Sequence, residues 1–370
     1  MSKLEETSLE IIANLGTIPS LPFQEQHIAK YITNLLSEWK ISFEIDFFGN
    51  IIATLPGESG KNGIGFISHM DHPGFEIIKK ENSRLIAKAL GGVPEWTFTK
   101  KTPVKIIGQR MELIEGYLDG RYGDENDRMV YVKTDNDEMI NIPSGVMLSV
   151  DDFNITNNTI RMLAADDLAG CSAILAALES AQKINRSHTI YGIFTRAEEV
   201  GLIGARAIAR NKSIPQDTFI VSVESSRELP GANVGNGPVI RTGDALFTFN
   251  YEAEQILTIA KEHLESNFKT FQAQRQLMSG GVCEASAFLV NGYRATGIAI
   301  PLKNYHNAGE NEITLAEEVN KFDFLNAANL ILESSQSISK RHESKAWKRL
   351  SQVPENELNR LEKSSDVISQ

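Results

Sequence analysis

Apolar residues recur at helical spacing from Leu4 to Trp39 and are interrupted at Ile18-Pro19-Ser20-Leu21-Pro22, so the chain should open with two helices separated by a proline-containing break. The period then changes. Ser42 to Leu55 alternates apolar with polar and stops at Pro56-Gly57, and Gly63 to Ser68 is a short continuous apolar run of the kind found in buried strands. From about Phe75 to Leu163 the pattern breaks into short β-type pieces, among them Val104-Lys105-Ile106-Ile107, Met129-Val130-Tyr131-Val132 and Met147-Leu148-Ser149-Val150, separated by Gly, Asp and Asn turns. Beyond it helical and strand patterns alternate: helix Leu168 to Ala181, strand Thr189 to Thr195, helix Leu202 to Asn211 and strand Thr218 to Val223. A helix near Gln255 to Leu264, a strand at Ala295 to Ile300 and a helix from about Leu315 to Ser334 complete the series.

This alternation predicts an α/β protein with a mixed sheet sandwiched by helices. Residues 1–74 and 164–337 form its main domain, residues 75–163 form a small inserted β-rich domain, PDZ-like or barrel-shaped, and residues 338–370 form a polar C-terminal tail dense in Lys and Glu. A chain of 370 residues can bury such a core without disulfides. Cys171 and Cys283 lie far apart and neither belongs to a C-x-x-C pair, so both read as free thiols of a cytoplasmic protein. The start, Met1-Ser2-Lys3-Leu4-Glu5-Glu6, lacks the apolar core of a secretory signal, and no stretch approaches the roughly 18 apolar residues of a membrane span. A net charge of -11, from 48 acidic against 37 basic residues, argues against a nucleic-acid partner, because phosphate binding needs clustered Lys and Arg.

The chemistry-bearing residues follow the strands. His69 ends one apolar run, Glu198 and Glu199 follow a second, Glu224 ends a third, and His306 follows a fourth. In open α/β sheets the loops beyond the carboxyl ends of the strands converge on one crevice, and Asp166-Asp167, at the start of an apolar helix, can join them. Each residue has an ordinary reading on its own: Asp166-Asp167 as a helix cap, Glu198-Glu199 as a solvated turn, Glu224 as a partner for Arg227. Recurrence at strand ends overturns these readings together. Two imidazoles and three carboxylates at one point repel unless cations neutralise them, and mixed N/O ligation suits zinc, cobalt or manganese. Five ligands, His69, Asp166, Glu199, Glu224 and His306, suit two divalent ions sharing a carboxylate, with Asp166 as the natural bridge. Adjacent residues after a strand generally point in different directions, so of Glu198 and Glu199 one can ligate while the other takes the proton of an attacking water and returns it to a leaving amine. Asp71 is placed to accept the second ring N–H of His69 and fix its tautomer. His27, His188, His263 and His342 read as ordinary surface or core residues.

The motifs His69-Met70-Asp71-His72-Pro73-Gly74, Asp166-Asp167-Leu168-Ala169-Gly170, Glu198-Glu199-Val200-Gly201 and Gly235-Asn236-Gly237-Pro238 resemble the M42 glutamyl (tetrahedral) aminopeptidase family, from about Leu9 to Leu330. The resemblance implies a zinc-peptidase-like fold whose β-rich insert serves dimerisation. It assigns His69, Asp166 and Glu224 to one metal, Asp166, Glu199 and His306 to the other, and Glu198 as catalytic base, with a cis peptide after Asp166. It implies short peptides as substrates, zinc as the leading metal, and a homo-oligomer built from dimers, up to twelve-subunit shells. Glu224 stands where the family usually has Asp, His72 where it has Glu, Leu168 where it has a basic residue, and Gly280-Gly281-Val282-Cys283-Glu284-Ala285 replaces a Gly-Gly-Thr-Asp-Ala pattern near the substrate. An N-acyl amidase on the same metal site and a catalytically silent scaffold are the alternatives.

Overall fold

The structure is a computed structural model that describes residues 2–58, 63–81, 84–110 and 112–365. Its centre is four parallel strands, Ile190–Thr195, Ile64–His69, Phe219–Arg227 and Arg294–Lys303, hydrogen-bonded in that order. Antiparallel strands extend the sheet on both sides, Ile51–Leu55 and Ser42–Ile45 on one edge, Glu317–Asn320, Thr159–Met162 and Asn154–Ile155 on the other. Successive strand residues face opposite sides, so each parallel strand feeds two cores. Phe66, Phe194 and Val221 pack with the helices Lys3–Leu15, Gln26–Glu38, Ala165–Ala181, Tyr251–Asn267 and Lys321–Ser337. Ile67, Ile193 and Ile220 pack under Ile203–Asn211 and Glu284–Leu289.

The helix Ala165–Ala181 is apolar all round because it is enclosed on all sides, by the sheet and by the helices Lys3–Leu15 and Lys321–Ser337. Burying one of its Leu or Ile side chains is worth about 1.5–3 kcal/mol, which fixes the position of its first turn. That first turn carries Asp166 and Asp167, both outside helical dihedrals, so the regular helix begins at Leu168.

The strands Gly74–Glu81, Arg84–Leu90, Met129–Lys133, Leu113–Tyr122, Thr102–Ile107 and Ser144–Leu148 close into a barrel in that spatial order, around a separate core that includes Phe75, Phe98, Val104 and Val132. Residues 154–162, inside the stretch read as insert, instead pair with the main sheet through Glu317–Asn320.

Several boundaries differ from the sequence pattern. The helix expected from Leu315 begins at Lys321, because Asn320 caps it by accepting from the amides of Phe322 and Asp323, and the preceding Glu317–Asn320 is a strand. The strand expected to stop at Val223 runs on to Arg227 alongside its parallel partner, so Glu224 lies within a strand. Among the described residues of the C-terminal segment, Lys345–Ser351 and Glu355–Ser365 form helices that bury none of their own residues, whereas Ile338 and Ser344 before them are buried. No helix among the described residues is long and apolar enough to cross a membrane.

Candidate metal centre

The carboxyl ends of the parallel strands deliver His69, Glu198, Glu199 and His306 to one crevice, and Glu224 projects into it from within its strand. The Asp166 carboxylate lies at the centre. Its Oδ1 is 3.4 Å from His69 Nε2 and its Oδ2 is 3.9 Å from His306 Nε2, so each oxygen faces a different imidazole. His306 Nε2 is also 3.3 Å from Glu199 Oε1, and His69 Nε2 is 3.9 Å from Glu198 Oε2. Ligand atoms of His69, Asp166 and Glu224 lie within 4.8 Å of one another, as do those of Asp166, Glu199 and His306, and those of His69, Glu198 and Glu199. His69 Nε2, Asp166 Oδ1, Glu199 Oε1 and His306 Nε2 are buried without a hydrogen-bond partner. Buried polar atoms are normally satisfied, so four orphaned donor atoms converging on one point fit a pair of divalent cations.

Buried carboxylates hold the segments that carry the cluster together through backbone amides. Asp71 accepts from the amides of Glu198 and Glu199 at 2.9 and 3.0 Å, which fastens that turn to the His69 segment. Its carboxylate was expected on the His69 ring; instead His69 Nδ1 lies 3.0 Å from the Asp71 carbonyl oxygen and 3.8 Å from the carboxylate. The tautomer is still fixed, but by the main chain, because the two amides occupy the carboxylate. Asp167 accepts from the Ser225 amide at 3.1 Å and from the Ser68 hydroxyl, joining the neighbours of Glu224 and His69. Gly170 leaves the space for it: a Cβ there would meet the Asp167 carboxylate at 2.5 Å. Glu317 accepts from the amides of Asp166 and His306. The Asp166–Asp167 peptide is cis, as the resemblance implies.

The barrel reaches this centre too. His306 Nδ1 lies 2.8 Å from the Gly92 carbonyl oxygen, and a Cβ on Gly92 would meet that nitrogen at 2.7 Å, so only glycine leaves room for the ring. Tyr305 stacks on the other side, centroids 3.7 Å apart.

Other residues depart from their expected places. Glu224 pairs with Arg241 at 3.1 Å rather than with Arg227; Arg241 is only 2% exposed. His72 braces the site, with Nδ1 2.8 Å from the Asp166 carbonyl oxygen and Nε2 3.0 Å from Asn307 Oδ1. Gly280, Gly281 and Val282 line the cavity of about 370 Å³ beside the cluster, as does Arg227. Leu168 does not; it lines a second cavity, with Gly16, Met147 and Phe153. Glu317, Arg241, Asn307 and Tyr305 were not singled out from sequence, since each looks like an ordinary polar or strand-end residue there. The Asn320 cap was the signal that could have shown Glu317 to precede its helix.

Burial opposes an imidazolium at His306, but the Glu199 and Asp166 carboxylates outweigh it and push its pKa up to about 9. Burial likewise opposes charge on His69, yet Glu198 and Asp166 carry it well above the usual histidine range. Burial, with Glu224 and Glu199 nearby, drives Glu198 well above an ordinary carboxylate. Protons thus do in the metal-free protein what cations would do. Metal uptake at pH 7 to 8 should therefore expel protons, and affinity should rise with pH toward about 9 as His306 loses its competing proton. Calorimetric titration with zinc in two buffers of different ionisation enthalpy checks this; heats independent of buffer would contradict it.

A helix-flanked mixed sheet with an inserted six-stranded barrel is the fold of the TET peptidases, and the buried His/Asp/Glu cluster is compatible with metal. The family model for M42 glutamyl aminopeptidases matches residues 127–322, and the chain belongs to that family. It is 25% identical over 351 residues to an Acetivibrio thermocellus protein provisionally assigned as an aminopeptidase, covering 89% of this chain and 99% of the relative. Its fold is similar to that of a TET aminopeptidase from a marine sediment Thaumarchaeota archaeon, with TM-score 0.76 and 18% identity over 90% of this chain and 99% of the other. It is also similar to the TET1 peptidase of Pyrococcus horikoshii, with TM-score 0.74 and 20% identity over 89% and 99%; that protein can assemble into a tetrahedron or a large octahedral shell.

Proposed function

We propose that this protein is a two-metal aminopeptidase that removes N-terminal residues from short peptides. The observation that carries the reading is the Asp166 carboxylate, whose two oxygens face His69 on one side and His306 on the other. In this reading His69, Asp166 and Glu224 hold one ion and Asp166, Glu199 and His306 the other, with zinc as the leading metal and cobalt or manganese able to replace it. When bound, the ions supply Lewis acidity toward the scissile carbonyl and lower the pKa of water. Glu198 belongs to neither of these two groups and lines the cavity, so it accepts the proton of the attacking water and passes it to the departing amine. Asp71 keeps Glu198 and Glu199 apart in role by fixing both amides of their turn.

The test is a panel of aminoacyl and N-acyl chromogenic substrates, offered to metal-stripped protein and to protein reloaded with zinc, cobalt or manganese. Aminoacyl cleavage restored by metal is the expected result. Cleavage of N-acyl substrates alone would move the function to an amidase, and metal uptake with no cleavage would point to a silent pocket. We further propose that copies associate through the barrel in a dimer-based oligomer, supported by the shells of the Pyrococcus relative. A monomeric mass by light scattering would remove that reading.

A further inference from the structure

We propose that Glu317 is a positioning residue for the metal pair, clamping the backbones of Asp166 and His306 into one unit. The inference rests on the two-metal reading above. Glu317 is fully buried, and its oxygens divide between two ligand loops: Oε2 accepts from the Asp166 amide at 2.9 Å and Oε1 from the His306 amide at 2.8 Å. Both are buried bonds from main-chain amides to one side chain, so neither backbone can shift without dragging on the other. The His306 loop needs such a hold. Asn304, His306 and Asn307 all take left-handed backbone dihedrals, with φ of 56°, 54° and 61°; asparagine visits this region readily, but His306 holds it only under constraint. Gly92 and Tyr305 restrain the His306 ring, but Glu317 restrains its backbone and ties it to the bridging carboxylate. A neutral amide cannot do the same, because its NH₂ would face one of the two N–H donors.

Glu317→Gln keeps the shape and removes one acceptor. Zinc titration calorimetry of the metal-stripped full chain, with the absorption spectrum of the cobalt-loaded protein, reads the result. The expected outcome is that wild type takes up two ions, while Glu317→Gln binds the ion shared by Asp166, Glu199 and His306 about 10–100-fold more weakly, with an altered cobalt spectrum. A purely structural residue would lower the melting temperature and leave the affinities and spectrum of the remaining folded protein unchanged, which would overturn the proposal. Hydrogen exchange on the wild-type chain provides a test independent of the variant's folding: the Asp166 and His306 amides should be strongly protected, and exchange as fast as in exposed loops would also overturn it. Wild type that binds no metal would sink the two-metal reading itself; two-ion wild type with an unchanged, folded variant would sink only the clamp.

Discussion

Glu198→Gln is expected to lower turnover of the best aminoacyl substrate by about 10²–10⁴-fold, the usual range for losing a positioned acid–base group, while metal content stays at the wild-type value. Gln fills the same volume and keeps the backbone amide that Asp71 accepts, so the turn and its neighbour Glu199 stay in place. What disappears is the capacity to take up a proton and return it. KM should change little by comparison, since the side chain works on a proton in transit rather than on the bound ground state. Steady-state kinetics together with metal analysis of the same sample checks this. Loss of metal in parallel with activity would place Glu198 among the ligands, alongside the His69 it approaches at 3.9 Å.

Asp166→Asn should have the larger effect. The Asp166 carboxylate belongs to both three-residue groups, one with His69 and Glu224 and one with Glu199 and His306. An amide presents one oxygen to one side and an NH₂ to the other, so binding should fall from two ions to at most one, and activity by about 10³-fold or more, given that metal assistance is worth several kcal/mol. Inductively coupled plasma analysis after zinc loading, beside the same kinetic assay, separates the outcomes. Two retained ions would remove Asp166 from the bridging role.

The residues expected in the cluster could be picked out of the sequence because each obeys a local rule. His69 and Glu198-Glu199 follow apolar runs of the kind found in buried strands, and strand ends in such sheets point to one place. The layer behind them was not legible. Glu317 sits in Glu317-Glu318-Val319-Asn320, a segment with no apolar run to mark it as a strand, whose hydrogen bonds to Thr159–Met162 and Arg294–Lys303 come from distant parts of the chain. Arg241 resembles a charged residue ending a surface strand, yet the fold turns it inward onto Glu224. His72 shows the same limit: its partners, the Asp166 carbonyl and Asn307, have no signature at sequence level. The barrel's existence could be read from its short strands and turns, but not its spatial order, because Arg84–Leu90 pairs with Met129–Lys133 across two intervening strands.

The carbonyl of Gly92 belongs to the barrel module and the ring it holds belongs to the helix-flanked one, so the candidate metal cluster straddles the seam between them. Linkage is reciprocal: whatever free energy the barrel's placement lends to cation binding at His306, a bound cation must return as restraint on the barrel. The two modules therefore constitute one thermodynamic system, and cutting the barrel away would remove part of the instrument that aims the His306 ring.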